Sequence, residues 1–153
     1  CNLSLFWCER VQTIYEEKVM YTYFVKSVDR VVDGDTIDIS IDLGFDLTKK
    51  ERVRLAGIDT PETRTKNPKE KEMGYQATEF LEMHLMEATK LTVKTEKDGK
   101  FGRMLGWLYK SEKDVTSINE TMIDEGYAWA YDGGTKLRNL EDLIEKRGKS
   151  DGV

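Results

Sequence analysis

The segment Thr36–Asp42 alternates polar and apolar residues without interruption, so that three isoleucines occupy every second position. A period of two is that of a β-strand with one face in the core and the other facing solvent. An earlier run from Tyr21 to Val32 is also rich in β-branched and aromatic residues and leads into Asp33-Gly34, a dipeptide favoured in tight turns. The sequence therefore predicts a strand, a turn and a second strand.

A third strand is predicted from Glu51 to Ile58. In an extended chain Arg52 and Arg54 share one face, while Val53 and Leu55 point to the opposite face. Arg52 is interpreted as a solvent-facing residue. Arg54 is expected to leave the hydrophobic face and to enter whatever the other face encloses.

The hydrophobic period then changes from two to 3.6. A charged stretch from Pro61 to Glu72 is predicted to be a solvated loop, and a helix is predicted to follow it. Its apolar stripe consists of Ala77, Phe80, Leu81, Leu85 and Ala88. The only histidine, His84, lies beside this stripe and is interpreted as structural.

Two more strands and two more helices complete the prediction. The strands, 91–93 and 105–109, flank an Asp98-Gly99 turn. A helix over 117–125 is indicated by Ser117 and Glu120, which have capping-box spacing, and by Gly126 at its end. A last helix is expected over about 136–146, with its charged residues on the solvent side. Strands and helices in this order indicate an α+β fold.

The chain has 153 residues, which is the size of one domain. Residues 1–20 have no clean period and are expected to be an extension; 21–147 are the predicted domain and 148–153 a tail. No apolar run approaches the roughly 20 residues that span a bilayer, so a soluble protein is expected, either secreted or cytoplasmic. Cys1 and Cys8 both lie in the extension, outside every motif, so thiol chemistry is not expected to be part of the function.

Charged residues interrupt the strand sequences at three places. The first is Val32-Asp33-Gly34-Asp35-Thr36, the second is Arg54 followed by Asp59-Thr60-Pro61-Glu62, and the third is Lys100-Phe101-Gly102-Arg103. Burying unpaired ions costs several kcal/mol each, so such charges need a metal ion, a phosphate or each other as compensation.

These three motifs, in this order and spacing, resemble those of the staphylococcal (thermonuclease-type) nuclease family. The resemblance runs from about Tyr21 to Ile144. It implies a five-stranded β-barrel of the OB type with three helices. It also implies a nuclease that depends on Ca²⁺ and hydrolyses phosphodiester bonds of DNA and RNA, prefers single strands and leaves 3′-phosphate ends. A monomer is expected.

By this resemblance, Asp35 and Asp59 are the metal carboxylates and Thr60 contributes its backbone carbonyl. Oxygen ligands suit calcium, and there is no Cys or His in zinc-like spacing. Glu62, held by the fixed backbone angle of Pro61, is the candidate base that activates water.

Arg54 and Arg103 supply planar forks that match phosphate oxygens, where charge accumulates during phosphoryl transfer. Lys100, Phe101 and Tyr131 are the expected substrate-binding residues. Many members of the family have tyrosine where this chain has Phe101, so the resemblance implies stacking there without a hydroxyl hydrogen bond.

Simpler interpretations exist for each motif taken alone. Asp33-Gly34-Asp35 is also a hairpin turn, Asp59 also starts a turn, and the aromatic cluster around Tyr131 also suits a core. A noncatalytic OB-type module that binds nucleic acid or protein is the alternative function. The net charge of −5 and pI near 5.1 favour this alternative, whereas the joint presence of the acidic and arginine positions favours the enzyme.

Overall fold

The computed structural model of the chain describes residues 20–96, 104–136 and 138–150. Five strands close into a barrel in the order β1-β2-β3-β6-β5. These are β1 (Met20–Asp33), β2 (Thr36–Gly44), β3 (Leu47–Leu55), β5 (Thr92–Glu96) and β6 (Met104–Tyr109). A small second sheet pairs β4 (Ile58–Asp59) with β7 (Trp129–Ala130). Three helices are described, α1 (Pro68–Glu87), α2 (Ile118–Asp124) and α3 (Leu140–Ser150), so the predicted α+β barrel with three helices is confirmed.

The barrel closes through one parallel contact. Strand β3 runs parallel to β6 over Val53–Leu55, whereas the other neighbouring strands of the barrel are antiparallel. The predicted alternation of β2 is confirmed, because Ile37, Ile39 and Ile41 are buried in the barrel core. Val53 and Leu55 join this core from β3, as their shared face requires.

Strand β3 ends three residues earlier than predicted. It ends at Leu55, the chain turns at Ala56-Gly57, and Ile58-Asp59 pairs with β7 instead of with the barrel. Gly57 has φ of 75°, a left-handed conformation that suits glycine. This turn carries Asp59 out of the β3 ladder and toward the end of the barrel.

Helix α1 begins at Pro68, so the prediction of a loop up to Glu72 was wrong for residues 68–72. The reason is local capping. The Asn67 side chain accepts hydrogen bonds from the backbone N–H groups of Lys69 and Glu70, and proline is favoured at the first helical position. Because this stretch contains many charged residues, its hydrophobic periodicity does not show where the helix begins.

The capping box of α2 is confirmed. The Ser117 hydroxyl accepts from the Glu120 N–H at 3.1 Å, and a Glu120 carboxylate oxygen accepts from the Ser117 N–H at 3.0 Å. Helix α3, in contrast, begins at Leu140 and not near Lys136. The Asn139 side chain accepts from the Glu141 N–H at 3.1 Å, which is helix-starting chemistry that the apolar stripe alone does not reveal.

Residues 1–19, with Cys1 and Cys8, lie outside the described residues, as do 97–103, 137 and 151–153. Within the described ranges, no helix is both long and apolar enough to cross a membrane.

Candidate active site

The candidate site is built around Arg54, near the end of β3. Its guanidinium is held by the backbone, because Nη1 donates to the Leu55 carbonyl at 3.0 Å and Nη2 donates to the Ile58 carbonyl at 2.9 Å. The same Nη2 lies 3.4 Å from a carboxylate oxygen of Asp35 and 3.5 Å from one of Asp59. Arg54 therefore draws together two carboxylates that are separated by 24 positions in the sequence.

Asp35 lies in the turn between β1 and β2. Its Oδ1 accepts from the Thr36 hydroxyl at 3.0 Å, and its Oδ2 accepts from the Thr60 backbone N–H at 3.3 Å. The turn packs closely there: a Cβ added to Gly34 would meet the Thr60 side chain and the Ala77 Cβ at about 3 Å. Asp35 and Thr60 are thus held beside each other by this hydrogen bond and by close packing of the Thr60 side chain against Gly34.

Asp59 ends β4 and is almost completely buried, with 4% of its side chain exposed. A buried carboxylate requires compensation, and Asp59 receives it from three cations. Besides Arg54, these are Arg138, whose Nε donates to Oδ2 at 2.9 Å, and Lys136, whose Nζ donates to Oδ1 at 3.3 Å.

Glu62 lies at the open side of the cluster, with 45% of its side chain exposed. Its Oε1 accepts from Arg138 Nη2 at 2.8 Å. Helix α1 supports its backbone, because Gly74 packs so tightly that an added Cβ would lie 2.8 Å from the Pro61 carbonyl oxygen. Glu62 is therefore held on a fixed backbone beside Asp59 and within reach of solvent.

Lys136 and Arg138 are the site residues that sequence reasoning missed. The prediction that the last helix begins near Lys136 with its charged residues on the solvent side was wrong for Arg138, which is half-buried against the acidic cluster. Lys136 is exposed as predicted, but it precedes α3 and contacts Asp59. The signal that identifies them is Asn139, because a helix that starts there leaves positions 136 and 138 in the connection from β7. Burial opposes the charge of Arg138, but its hydrogen bonds to Asp59 and Glu62 outweigh burial and raise the pKa of the guanidinium.

The balance of charge leaves the cluster slightly acidic. Four carboxylates, Asp35, Asp59, Glu62 and Glu70, face three cations, Arg54, Lys136 and Arg138. In the described part of the chain, no three His, Cys, Asp or Glu side chains are grouped as a metal site. The groups that do converge are two carboxylates that share one guanidinium nitrogen, and the Thr60 backbone N–H holds one of these carboxylates. This donor set fits a calcium-like cation whose other ligands are carbonyls and water.

A cleft of about 410 Å³ adjoins Asp59 and is lined in part by Gly57, Tyr131 and Lys136. The Tyr131 backbone N–H donates to the Gly57 carbonyl at 2.8 Å, and the Lys136 ammonium lies 5.6 Å from the Tyr131 ring centroid. The structure thus places Tyr131 in an open cleft beside the acidic cluster.

The two other aromatic residues of this segment serve the core. Trp129 is buried and donates its indole N–H to the Asn139 carbonyl at 3.0 Å. Tyr127 stacks on Phe80 with ring centroids 4.0 Å apart. The predicted substrate-contacting residues Lys100, Phe101 and Arg103 lie outside the described residues.

Comparison with known proteins identifies the family of this chain. The family model described as "Staphylococcal nuclease homologue" matches residues 52–149. The chain is 37% identical to a thermonuclease of Staphylococcus intermedius, over 82% of the chain and 70% of that protein. It is 33% identical to Endonuclease YncB of Bacillus subtilis, over 82% of the chain and 58% of that protein. It is 35% identical to a micrococcal nuclease of Shigella flexneri, over 71% of the chain and 59% of that protein.

The barrel, the family match and the nuclease relatives together define a hydrolase of the nuclease class. The chain belongs to the staphylococcal nuclease homologue family. The predicted resemblance is thereby confirmed, and these matches favour the enzyme over the noncatalytic binding module. The chain spans about 58–70% of the length of the three relatives named above.

Proposed function

We propose that this chain is a calcium-dependent nuclease that hydrolyses phosphodiester bonds of DNA and RNA, with single strands preferred and 3′-phosphate ends as products. The observation that carries the proposal is the convergence of Asp35 and Asp59 on one nitrogen of Arg54, with Glu62 partly exposed beside them. We assign residues 21–147 to this nuclease domain, preceded by an extension over 1–20 and followed by a tail.

In this proposal Asp35, Asp59 and the Thr60 carbonyl hold the cation. Oxygen donors of this kind suit Ca²⁺, because it accepts irregular sets of six to eight oxygens. When bound, the cation supplies positive charge for a phosphoryl oxygen and increases the acidity of nearby water.

Glu62 is assigned as the base. Its carboxylate takes a proton from water as the water oxygen bonds to phosphorus, and the bond between phosphorus and the 5′ oxygen breaks. The 5′ oxygen leaves with a proton from solvent, so the products are a 3′-phosphate and a 5′-hydroxyl. The partial exposure of Glu62 favours this role, since the base must reach both solvent and substrate.

We assign to Arg54 and Arg103 the stabilisation of the negative charge that develops on the phosphoryl oxygens during the reaction. The backbone hydrogen bonds of Arg54 fix its fork before substrate arrives, which reduces the reorganisation needed during reaction. Losing one such preorganised donor typically costs about 10²-fold or more in rate.

Tyr131, with Lys100 and Phe101, is assigned to substrate binding. Its position in the cleft next to Asp59 suits a base stacked on the ring while the adjoining phosphate reaches the cluster. Stacking on aromatic faces needs bases that are free of a duplex, which supports the preference for single strands.

Glu62→Gln tests the proposed base. We expect the variant to fold normally and to lose at least about 10²-fold in single-turnover cleavage of a single-stranded oligonucleotide, because the amide accepts no proton. Glu72→Gln is the matched control, since Glu72 is exposed on α1 and makes the same change of charge. A folded Glu62→Gln protein that cleaves at the wild-type rate would remove Glu62 from the reaction.

A further inference from the structure

Arg138 connects two carboxylates to which the proposed function gives different roles. One edge of its guanidinium binds Asp59, the proposed metal ligand, and Nη2 also binds Glu62, the proposed base, at 2.8 Å. Its Nη1 lies 3.9 Å from Glu70 on α1. The Arg138 side chain thus lies between three carboxylates and holds Asp59 and Glu62 close together.

Both oxygens of Asp59 are engaged by cations of the chain. Oδ2 accepts from Arg138 Nε at 2.9 Å, and Oδ1 accepts from Lys136 Nζ at 3.3 Å and from Arg138 Nη2 at 3.4 Å. Because 96% of the Asp59 side chain is already buried, there is little free surface through which a further cation can reach these oxygens. A divalent cation bound to Asp59 would also repel the positive charge of Arg138, because both would contact the same carboxylate. Binding of a metal to Asp59 therefore requires the guanidinium to move away.

The segment that carries Arg138 suits such a movement. It lies in the connection between β7 and α3, so displacement of the side chain breaks no helix or strand ladder. The Arg138 side chain is 27% exposed, the Lys136 side chain is 42% exposed, and Lys136 borders the cleft. A guanidinium released there finds its best new partner in a phosphate, whose oxygens match its fork.

We infer that Arg138 exchanges partners during the working cycle. Without a divalent cation it neutralises Asp59 and Glu62, and with a cation and nucleic acid bound it pairs with a phosphate of the substrate. Arg138 thus competes with the metal for Asp59 and also binds the substrate. Lys136 acts in the same two ways, with a smaller effect. This inference depends on the proposed function, because it assigns Asp59 to the cation and the cleft to nucleic acid.

Arg138→Gln separates the two roles because it changes two affinities in opposite directions. Calorimetric titration with Ca²⁺, without nucleic acid, is expected to show about tenfold tighter binding, the effect of removing one charge-assisted partner from Asp59. With Ca²⁺ saturating, the KM for a single-stranded oligonucleotide is expected to rise several-fold. Lys136→Gln is expected to shift both quantities in the same directions by less, and it provides a second variant if Arg138→Gln does not fold.

Arg52→Gln is the matched control. Arg52 is an arginine of the same domain that binds the carboxylate of Asp38 at 2.7 and 3.0 Å, away from the acidic cluster. Its replacement changes the net charge equally and is expected to leave the Ca²⁺ affinity within about twofold, since exposed charges at a distance are screened.

Unchanged or weaker Ca²⁺ binding by Arg138→Gln would overturn the inference, and so would an equal gain in Arg52→Gln. If that result accompanies normal calcium-dependent cleavage by the wild type, only the inference fails. If neither protein binds Ca²⁺ and the wild type does not cleave, the inference and the proposed function fail together.

Discussion

Replacement of Asn119 by alanine tests how the barrel holds the turn that precedes Asp59. Asn119 lies on α2 and is 2% exposed. Its side-chain amide donates to the Ala56 carbonyl at 2.8 Å and to the Gly106 carbonyl at 3.0 Å, and its oxygen accepts from the Leu108 N–H at 3.1 Å. This one side chain ties α2, β6 and the turn after β3 together.

The cost of Asn119→Ala follows from which groups lose a partner. The Gly106 carbonyl keeps the hydrogen bond from the Ala56 N–H at 2.9 Å, so its loss is small. The Ala56 carbonyl and the Leu108 N–H lose the bonds to Asn119, and both residues are buried. A buried polar group without a partner costs about 1–3 kcal/mol, so two such groups predict about 2–6 kcal/mol of lost stability. Because domains are stable by only about 5–15 kcal/mol, this is a large fraction of the total.

The assay is equilibrium unfolding in urea, followed by circular dichroism, for wild type, Asn119→Ala and the control Asn67→Ala. Asn67 is an exposed helix cap with two hydrogen bonds, and its replacement is expected to cost about 1 kcal/mol. The slope of the unfolding free energy against urea should stay constant, so that the shift of the midpoint reports stability. A loss below about 1 kcal/mol for Asn119→Ala would refute the argument that this amide supports the turn.

Two further predictions concern α1. Gly74→Ala places a Cβ 2.8 Å from the Pro61 carbonyl oxygen and 3.0 Å from the Glu62 backbone. We therefore expect the variant to lose about 1–3 kcal/mol of stability in urea unfolding and to cleave an oligonucleotide more slowly. Wild-type values for both quantities would contradict this packing. Burial, with help from the Lys110 charge, lowers the pKa of His84 below 6.5, so the unfolded chain binds the proton more tightly. Stability should therefore fall as the pH decreases below about 6.5, and the difference in unfolding free energy between wild type and His84→Leu should change over that range; a pH-independent difference would contradict it.

Local sequence predicted the elements whose signals are regular. The isoleucines of β2 are buried as their alternation requires, and Ser117 with Glu120 forms the predicted capping box. The order of strands in the barrel was not accessible in this way, because the parallel contact of β3 with β6 joins residues about 50 positions apart. The family resemblance implied a five-stranded barrel but not this order.

The site was predicted unevenly for the same reason. Asp35, Arg54 and Asp59 belong to short motifs, and the structure brings them together. Lys136 and Arg138 belong to no such motif, and hydrophobic periodicity assigned them to a helix that in fact starts later. Their contacts with Asp59 depend on where the chain enters α3, which is determined by the Asn139 cap and by packing of distant elements.

Cleavage of a single-stranded DNA oligonucleotide by the purified protein, in Ca²⁺, in Mg²⁺ and with a chelator, tests the central proposal most directly. The ends of the products are analysed in the same experiment. We expect cleavage in Ca²⁺ that the chelator abolishes, with 3′-phosphate and 5′-hydroxyl ends. Cleavage that persists in the chelator, or products with 5′-phosphate ends, would contradict the proposed roles of Asp35, Asp59 and Glu62.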